Sequence, residues 1–353
     1  MLNKEKILYS LREVTIIPSV NPVGIEHRAE CDIRTNSIEG VPGYLPLIAA
    51  PMSSVISPGN YNKFHEAGIS CIIPRTVPIN ERLRLCTEVM CAFSLKEVED
   101  NFLNNRFTLL GTKLHVLIDI ANGHMKKELL LGEQLKDIYK DNIILMGGNI
   151  ANPEIYGAYC DSGFDYIRLG IGGGAGCITS TQSGVHYPMA SLISETYELG
   201  YHYDYRTKIV ADGGINSYSD AIKCLALGAD YVMMGKVFAK SKEACGETYN
   251  MYDEKGDLKT YRHYYGMSTK KAQAEILGYN TIEDAKKENI KLKTSEGRSV
   301  DVLVEYSLSG WVENFTSYIR SAMSYTGHLN LEDFKESEVA VMSPTSEMLI
   351  NSK

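Results

Sequence analysis

Short apolar runs of six to eight residues recur along this 353-residue chain, and segments with helical character separate them. The runs are largely continuous and do not alternate with polar residues, which is typical of parallel strands covered on both faces. Eight such strands with intervening helices predict a closed (β/α)8 TIM barrel of the α/β class. The predicted strands are PLIAAPM (46–52), GISCIIP (68–74), TEVMCAF (87–93), HVLIDIA (115–121), NIILMGGN (142–149), DYIRLGIG (165–172), KIVADGG (208–214) and YVMMGK (231–236). We predict one barrel domain over residues 1–340.

A glycine followed by a step into a strand recurs in EAGISCII (66–73), DSGFDYI (161–167) and LGADYV (227–232). Glycine is favoured just after the last turn of a helix, so these phrases predict helix ends that feed barrel strands. Before the last strand, we predict a helix capped by Ser219 and ended by Gly228. Its buried face is predicted to carry Ile222, Leu225 and Ala226.

Residues 241–300 interrupt the alternation of strands and helices. DEKGD (253–257) predicts the turn of a hairpin within 241–263, and the polar, lysine-rich residues 269–300 show weak helical periodicity. A long polar excursion beside the catalytic end of a barrel is a candidate mobile flap, although composition fits a solvated decoration equally well. Residues 341–353 are predicted to form a flexible C-terminal tail.

Charge and hydropathy exclude several classes of function. The formal net charge of −8 argues against nucleic-acid binding, which calls for a basic surface. No window approaches the roughly 18 apolar residues of a membrane span, and the N-terminal residues lack the continuous apolar core of a signal peptide. We therefore expect a soluble, cytoplasmic protein with neither a nucleic-acid nor a membrane partner.

Eight cysteines are present, none of them in a CxxC pair or at zinc-ligand spacing from a histidine. Buried, reduced thiols are the expected state for seven of them. Cys177 differs because it lies in the glycine-rich stretch LGIGGGAGCITSTQSGVHYP (169–188), two residues before Thr179. Backbone amides of such a loop favour a thiolate, so Cys177 is a candidate nucleophile on the rim of the barrel.

The next two predicted strands end in glycine turns. One ends in Asp212, Gly213 and Gly214, and the other in Gly235 and Lys236. Phosphate sites of barrels form after the last two strands, where glycines let backbone amides approach the anion. Lys236 would add a positive charge there or lie in solvent, and Asp212 is suited to ribose hydroxyls.

Together these segments resemble the IMP dehydrogenase and GMP reductase family, from about residue 12 to about residue 330. The resemblance rests on GIGGGAGCITS (170–180), ADGGINSYSDAIKCLALGADYVMMG (211–235), YYGMS (264–268) and SEGR (295–298), supported by IAAPMSSV (48–55) and DIANG (119–123). It implies a barrel assembled as a homotetramer that acts on a purine nucleoside monophosphate, GMP or IMP.

The resemblance also implies roles for individual residues. Cys177 would attack C2 of the purine to give a thioimidate, and Thr179 would handle protons at the same carbon. Asp212 would bind ribose hydroxyls, and the remaining substrate contacts would come from Gly213, Gly214, Gly235 and Lys236 at the phosphate and from Gly266, Met267 and Ser268 at the base and phosphate. Carbonyl oxygens of Gly172, Gly174 and Cys177 match a potassium-binding loop. Ala175 departs from the serine common in the family, and Lys236 replaces its glycine or serine.

For the cofactor, the resemblance implies nicotinamide contacts at Asp119, Ile120 and Ala121 and a cation at Arg75. His27 and Arg28 match a segment that reaches the cofactor of a neighbouring subunit. Such cations suit the 2′-phosphate of NADPH, although each would also serve as an ordinary surface charge.

Two branches of the family share the nucleophile. The dehydrogenase oxidises IMP with NAD and hydrolyses the intermediate, using an Arg-Tyr pair on its flap. The reductase expels ammonia from GMP and delivers hydride from NADPH to C2, using the threonine and a glutamate. No arginine lies between Met267 and Glu296 of this chain, and its one tyrosine there is Tyr279. Glu296 matches the reductase glutamate, although dehydrogenases share that position.

The prediction is therefore GMP reductase, with IMP dehydrogenase lacking CBS regulatory domains as the alternative. The stretch from Arg75 to Asp119 is too short for CBS domains, and IANG (120–123) is closer to reductases while IAAPM (48–52) is closer to dehydrogenases. A dehydrogenase that uses a flap lysine as base, a reductase for a modified purine nucleotide, and a regulatory nucleotide-binding protein remain competing hypotheses.

Overall fold

Eight parallel strands close into a barrel in the computed structural model, which describes residues 6–21, 24–35, 43–104 and 112–351. Each strand pairs with the next along the chain, and the first pairs with the last through Ile48 and Met233. The (β/α)8 TIM barrel is confirmed, and every predicted strand overlaps one that is observed. The barrel strands are β2 (Leu47–Ala49), β3 (Ser70–Ile73), β4 (Met90–Phe93), β5 (Leu114–Ile118), β6 (Ile143–Ile150), β7 (Tyr166–Leu169), β8 (Lys208–Asp212) and β9 (Tyr231–Met234).

The strands separate two apolar cores. In β2, Ile48 packs inside the barrel with Met90, while Leu47 and Ala49 pack in the layer between strands and helices. In β8, Val210 faces the barrel interior. Side chains still alternate between the faces of each strand, but both faces are apolar, so the sequence shows an unbroken apolar run.

Helices follow the barrel strands, and further helices lie in the excursion after β11 and near the C-terminus. Their bounds are α1 (Tyr61–Glu66), α2 (Ile79–Leu85), α3 (Leu95–Val98), α4 (Lys126–Tyr139), α5 (Tyr156–Asp161), α6 (Thr179–Ser183), α7 (Met189–His202), α8 (Tyr218–Ala226), α9 (Lys236–Ala239), α10 (Lys270–Ile276), α11 (Ile282–Lys287), α12 (Leu308–Thr326), α13 (Leu331–Phe334) and α14 (Pro344–Asn351). In the described part of the chain, no helix combines the length and the hydropathy required to cross a bilayer.

The helix before β9 corrects one prediction. Its N-cap is Ser217 and not Ser219, because Ser217 has the extended backbone that a cap needs and accepts a hydrogen bond from Asp220 N at 3.0 Å. The Asp220 carboxylate accepts from Ser217 N at 3.1 Å and completes a capping box. Gly228 follows the helix end with φ of 111°, as predicted, and Gly68 and Gly163 also have positive φ after α1 and α5.

The predicted hairpin is confirmed: β10 (Thr248–Tyr252) and β11 (Leu258–Tyr265) pair antiparallel around residues 253–257. The polar excursion 269–300 contains α10 and α11 and then enters β12 (Ser299–Leu303), which pairs with β11. The residues predicted as a tail begin in β13 (Val339–Val341), which pairs with β1 (Val14–Ile16), and continue into α14. Residues 352 and 353 lie outside the described part.

Gly132 provides a test of the packing between α4 and the barrel. A Cβ at Gly132 would lie 2.6 Å from Phe164 Cζ and closer still to Cε2. Replacing glycine by alanine in a helix interior usually stabilises a protein. Here the added methyl group would overpack against Phe164, so we expect Gly132→Ala to lower the free energy of unfolding by about 1–3 kcal/mol. Urea denaturation measures this change. Gly310→Ala in α12 is the control, because its Cβ would approach only Ser307 Oγ, at 3.3 Å; equal effects of the two substitutions would contradict the packing argument.

Candidate active site

A cavity of about 910 Å³ opens at the carboxyl ends of the barrel strands. It brings together nearly every residue singled out in the sequence: Cys177, Thr179, Glu296, Asp212, Gly213, Gly214, Gly235, Lys236, Gly266, Met267, Ser268, Arg75, Asp119, Ile120, Ala121, Gly172 and Gly174. Arg28 does not line the cavity; its guanidinium donates to Ser321 Oγ at 3.1 Å on the exposed surface. The carboxyl-terminal rim is where barrels carry their functional groups.

Cys177 lies in a tight loop between β7 and α6. Its backbone N–H donates to Gly174 O at 2.9 Å, and Ser180 Oγ donates to Gly172 O at 2.8 Å. These contacts hold the thiol on the cavity wall, half-buried. The loop therefore presents one sulfur to the space in which a ligand would lie.

The thiol belongs to a hydrogen-bonded chain of three side chains. Cys177 Sγ donates to Thr179 Oγ1 over 3.1 Å, and Thr179 Oγ1 donates to Glu296 Oε2 over 2.9 Å. Thr179 is the first residue of α6, whereas Glu296 comes from the excursion after β11. A hydroxyl between a thiol and a carboxylate can pass a proton in either direction.

Backbone hydrogen bonds hold the segment that carries Glu296 against the cysteine loop. Ile178 N donates to Glu296 O at 2.8 Å, and Arg298 N donates to Gly176 O at 3.0 Å. Cys177 and Gly297 form an antiparallel bridge between these two bonds. Gly266 N in turn donates to Arg298 O at 3.2 Å, and a Cβ on Gly266 would overlap Gly176 O. Three loops thus meet backbone to backbone at the nucleophile.

Sequence reasoning missed Arg168, which lies in β7 and is 4% exposed. Its guanidinium bonds Asp119 Oδ1 at 2.7 Å and lies 3.6 Å from Asp212 Oδ2. Asn149, also missed, donates to Asp212 Oδ2 at 2.8 Å. Burial raises the pKa of Asp212, and the nearby guanidinium opposes that rise. The available signal was the one arginine inside the mostly apolar run YIRLGIG.

Glu128 of α4 is a further residue that sequence reasoning missed. It is fully buried, accepts from Gly148 N at 2.8 Å, and accepts from Tyr159 Oη at 2.6 Å. Burial raises its pKa to about 7, although these hydrogen bonds and Arg168 favour the carboxylate. Glu128 thus supports β6 directly beside Asn149.

The predicted phosphate end is bounded by glycine backbone and cations. Gly213 approaches the cysteine loop so closely that a Cβ there would lie 3.2 Å from Gly174 N. Lys236 lines both this cavity and a second one of about 750 Å³, whose wall carries three further cations, Arg12, Lys240 and Arg298. Arg298 also donates through Nε to Ala175 O at 2.7 Å. This end of the site suits an anionic group.

The same cavity offers donor atoms for a metal ion and for a cofactor. Within the described ranges, no three His, Cys, Asp or Glu side chains are grouped as metal ligands. Carbonyl oxygens of Gly172 and Gly174 each accept one hydrogen bond and retain a second lone pair, a donor set that suits potassium. Arg75 also lines the cavity; its NH1 donates to Asp119 O at 3.4 Å, and its Nε lies 3.8 Å from Glu97 Oε2. The Arg75 guanidinium thus brings a positive charge to the cavity wall, which suits an anionic cofactor.

The closed barrel and the cavity at its rim define the class of protein: a TIM barrel with a ligand site at the carboxyl ends of its strands. A family model described as "IMP dehydrogenase / GMP reductase domain" matches residues 9–353. The chain therefore belongs to the IMP dehydrogenase / GMP reductase family, as the resemblance predicted. This is a family of oxidoreductases that act on purine nucleoside monophosphates with nicotinamide cofactors.

Curated relatives come from both branches. A GMP reductase of Aliivibrio fischeri is 26% identical over 296 residues, covering 82% of this chain and 80% of the relative. A GMP reductase of Buchnera aphidicola is 29% identical over 242 residues, covering 68% and 64%. An inosine-5′-monophosphate dehydrogenase of Aquifex aeolicus is 32% identical over 221 residues, covering 63% and 43%. The alignments thus span less than two thirds of the Buchnera and Aquifex proteins.

Glu128 predicts a pH dependence of stability. Its pKa rises from about 4.5 in the unfolded chain to about 7 in the fold, so between these values the folded protein holds a proton that the unfolded chain has lost. Stability from this group therefore falls as pH rises, by about 2.5 kcal/mol between pH 5 and pH 8. The Glu128→Gln variant has no ionisable group at this position and should not show this loss. Its free energy of unfolding, measured in urea, should therefore rise relative to the wild type by about this amount from pH 5 to pH 8. A difference that stays constant with pH would contradict the prediction.

Proposed function

We propose that this protein is a GMP reductase, which converts GMP to IMP and ammonia with NADPH as reductant. The observation that carries the proposal is the hydrogen-bonded chain of Cys177, Thr179 and Glu296 on the cavity wall. It supplies a nucleophile and a proton path in the order that deamination at C2 requires. The arginine expected of a hydrolytic flap is missing from the sequence between Met267 and Glu296.

The first half of the proposed reaction removes the amine. The Cys177 thiolate adds to C2 of GMP and forms a C–S bond, which makes C2 tetrahedral. Thr179, resupplied with a proton by Glu296, protonates the exocyclic amine. The C2–N bond then breaks, ammonia leaves with its bonding pair, and a thioimidate remains on Cys177. General acid assistance of this kind contributes about 10²–10⁴-fold.

The second half reduces C2. Arg75, Asp119, Ile120 and Ala121 would hold a nicotinamide cofactor, which would supply a hydride for C2. Two electrons reduce the carbon, the C–S bond breaks, and the thiolate is restored as IMP leaves. Arg168 keeps Asp119 and Asp212 in place, because its guanidinium bonds the first carboxylate and lies 3.6 Å from the second.

The substrate would lie along the rim between these groups. Asp212 would accept the ribose hydroxyls, and the backbones of Gly213, Gly214 and Gly235 with the Lys236 ammonium would bind the phosphate. Gly266, Met267 and Ser268 would contact the base. Lys236 offsets the missing hydroxyl at Ala175, because both residues line the phosphate end of the cavity. Potassium at the carbonyls of Gly172, Gly174 and Cys177 would stiffen the loop.

We further propose a cytoplasmic homotetramer. The support is that His27 and Arg28, at the start of an exposed one-turn helix, do not line the cavity of their own chain. They are therefore accessible to the cofactor of a neighbouring subunit. Arg28 then serves a neighbouring site.

IMP dehydrogenase is the second candidate function. The observation in its favour is that Lys291 and Lys293 of the flap line the cavity, where a lysine would replace the arginine that the hydrolytic flap lacks. The Aquifex dehydrogenase also shares 32% identity with the aligned part of the chain.

Absorbance at the nicotinamide band separates the two functions. We expect decay with GMP plus NADPH and no growth with IMP plus NAD, because the cavity lacks a flap arginine for hydrolysis. The Cys177→Ala variant should abolish the decay, and mass analysis of quenched wild-type enzyme should find a purine adduct on the peptide containing Cys177. An increase in absorbance with IMP plus NAD, and no decay with GMP plus NADPH, would show a dehydrogenase and contradict the proposal. Nucleotide binding without turnover would indicate a binding protein.

Glu296→Gln tests the proton path. The variant keeps the size of the side chain but cannot resupply Thr179 with a proton, so kcat for GMP should fall about 10²–10⁴-fold. The dissociation constant for GMP, measured by calorimetry, should change by less than about threefold because binding energy lies elsewhere. Equal losses in kcat and in binding would remove Glu296 from the relay.

A further inference from the structure

Gln273 of the flap helix α10 makes three hydrogen bonds through its carboxamide. Its Nε2 donates to Ser268 O at 3.0 Å and to Lys293 O at 3.3 Å, and its Oε1 accepts from Lys293 N at 2.8 Å. The side chain therefore pairs with both backbone groups of Lys293, as a neighbouring β-strand would. It also lines the cavity.

The helix that carries Gln273 is fastened independently to the barrel. Glu275 accepts from Tyr265 Oη at 2.8 Å and from Ser53 Oγ at 3.1 Å. Ala272 and Ala274 of the same helix are buried. Gln273 thus projects from a fixed support, and its carboxamide has a defined position.

The segment held by Gln273 leads directly to the relay carboxylate. Lys293 precedes Glu296 by three residues, and the side chains of Lys293, Thr294 and Glu296 are exposed. Beyond Glu296 the chain is tied to the cysteine loop through Ile178 N and Gly176 O. Before Glu296, the hydrogen bonds described for the Lys293 backbone both go to Gln273. The segment is therefore suspended between Gln273 and the nucleophile loop.

We infer that Gln273 is a positioning residue that holds Glu296 at hydrogen-bonding distance from Thr179, and through Ser268 couples this position to the base-contacting segment. The inference rests on the proposed role of Glu296 as proton donor to Thr179. An exposed carboxylate on an untied segment would sample many rotamers, and proton transfer requires a donor–acceptor distance of about 2.6–3.2 Å. Tying the segment at both ends restricts Glu296 to that range.

The chemistry of the carboxamide explains why glutamine is suited to this position. Its Nε2 faces two carbonyl oxygens and its Oε1 faces an N–H, so one side chain must donate and accept at once. Glutamate has the same size but would set a carboxylate oxygen against the oxygens of Ser268 and Lys293. Methionine would fill the same space without these hydrogen bonds.

The test is a double-mutant cycle with steady-state kinetics. Gln273→Met should lower kcat for GMP about tenfold with little change in KM, and Gln273→Glu should lower it at least as far, because lost hydrogen bonds leave Glu296 mispositioned. In the Glu296→Gln background, Gln273→Met should cause no further loss, because the group it positions is gone. Gln134→Met on the exposed face of α4 is the matched control and should match the wild type. Equal losses from Gln273→Met in both backgrounds, or an unchanged kcat, would overturn the inference.

Hydrogen exchange separates this inference from the proposed function, because it needs no turnover. In nucleotide-free enzyme, the peptide containing residues 293–298 should exchange faster in Gln273→Met than in wild type or Gln134→Met. Unchanged exchange would overturn the positioning role even if GMP is reduced. Faster exchange in Gln273→Met, found together with a wild type that fails to reduce GMP, would keep the backbone role and reject the proposed function.

Discussion

The site depends on the backbone contact between the cysteine loop and residues 296–298. Each of these loops is long, polar and partly exposed, so neither has an apolar core of its own to hold it. The bridge at Cys177 and Gly297, with the hydrogen bonds on either side of it, fixes the thiol and the carboxylate relative to one another. Because the contact is made by backbone atoms, the side chains of Cys177, Thr179 and Glu296 remain free for chemistry.

Below this contact, a buried charge organises the floor of the cavity. Arg168 bonds one carboxylate and approaches another, and Asn149 completes the hydrogen bonding of Asp212. Burying an unpaired guanidinium would cost free energy. The charge of Arg168 therefore favours the positions that the two carboxylates occupy. The substrate side and the cofactor side of the cavity are thereby linked through one residue of β7.

The barrel was readable from the sequence because its strands are covered on both faces. Continuous apolar runs, glycines at helix ends and the turn at 253–257 are local signals that act within a few residues. These local signals did not identify Arg168 as a site residue, because a charge in an apolar run does not show which residues it pairs with. The prediction of Ser219 as the helix cap was wrong, because Ser217 has the extended backbone angles that a cap needs.

Sequence alone determined the fold class, the family, and the cysteine and glycine segments that line the rim, because apolar periodicity and motif spacing are properties of neighbouring residues. Only the tertiary structure decided that Glu296 meets Thr179, that Arg168 lies between Asp119 and Asp212, and that Gln273 holds Lys293. These pairs are separated by 20 to 117 residues. Contacts of that kind depend on how the barrel closes and where the flap docks, and no local pattern encodes the distance between two such side chains.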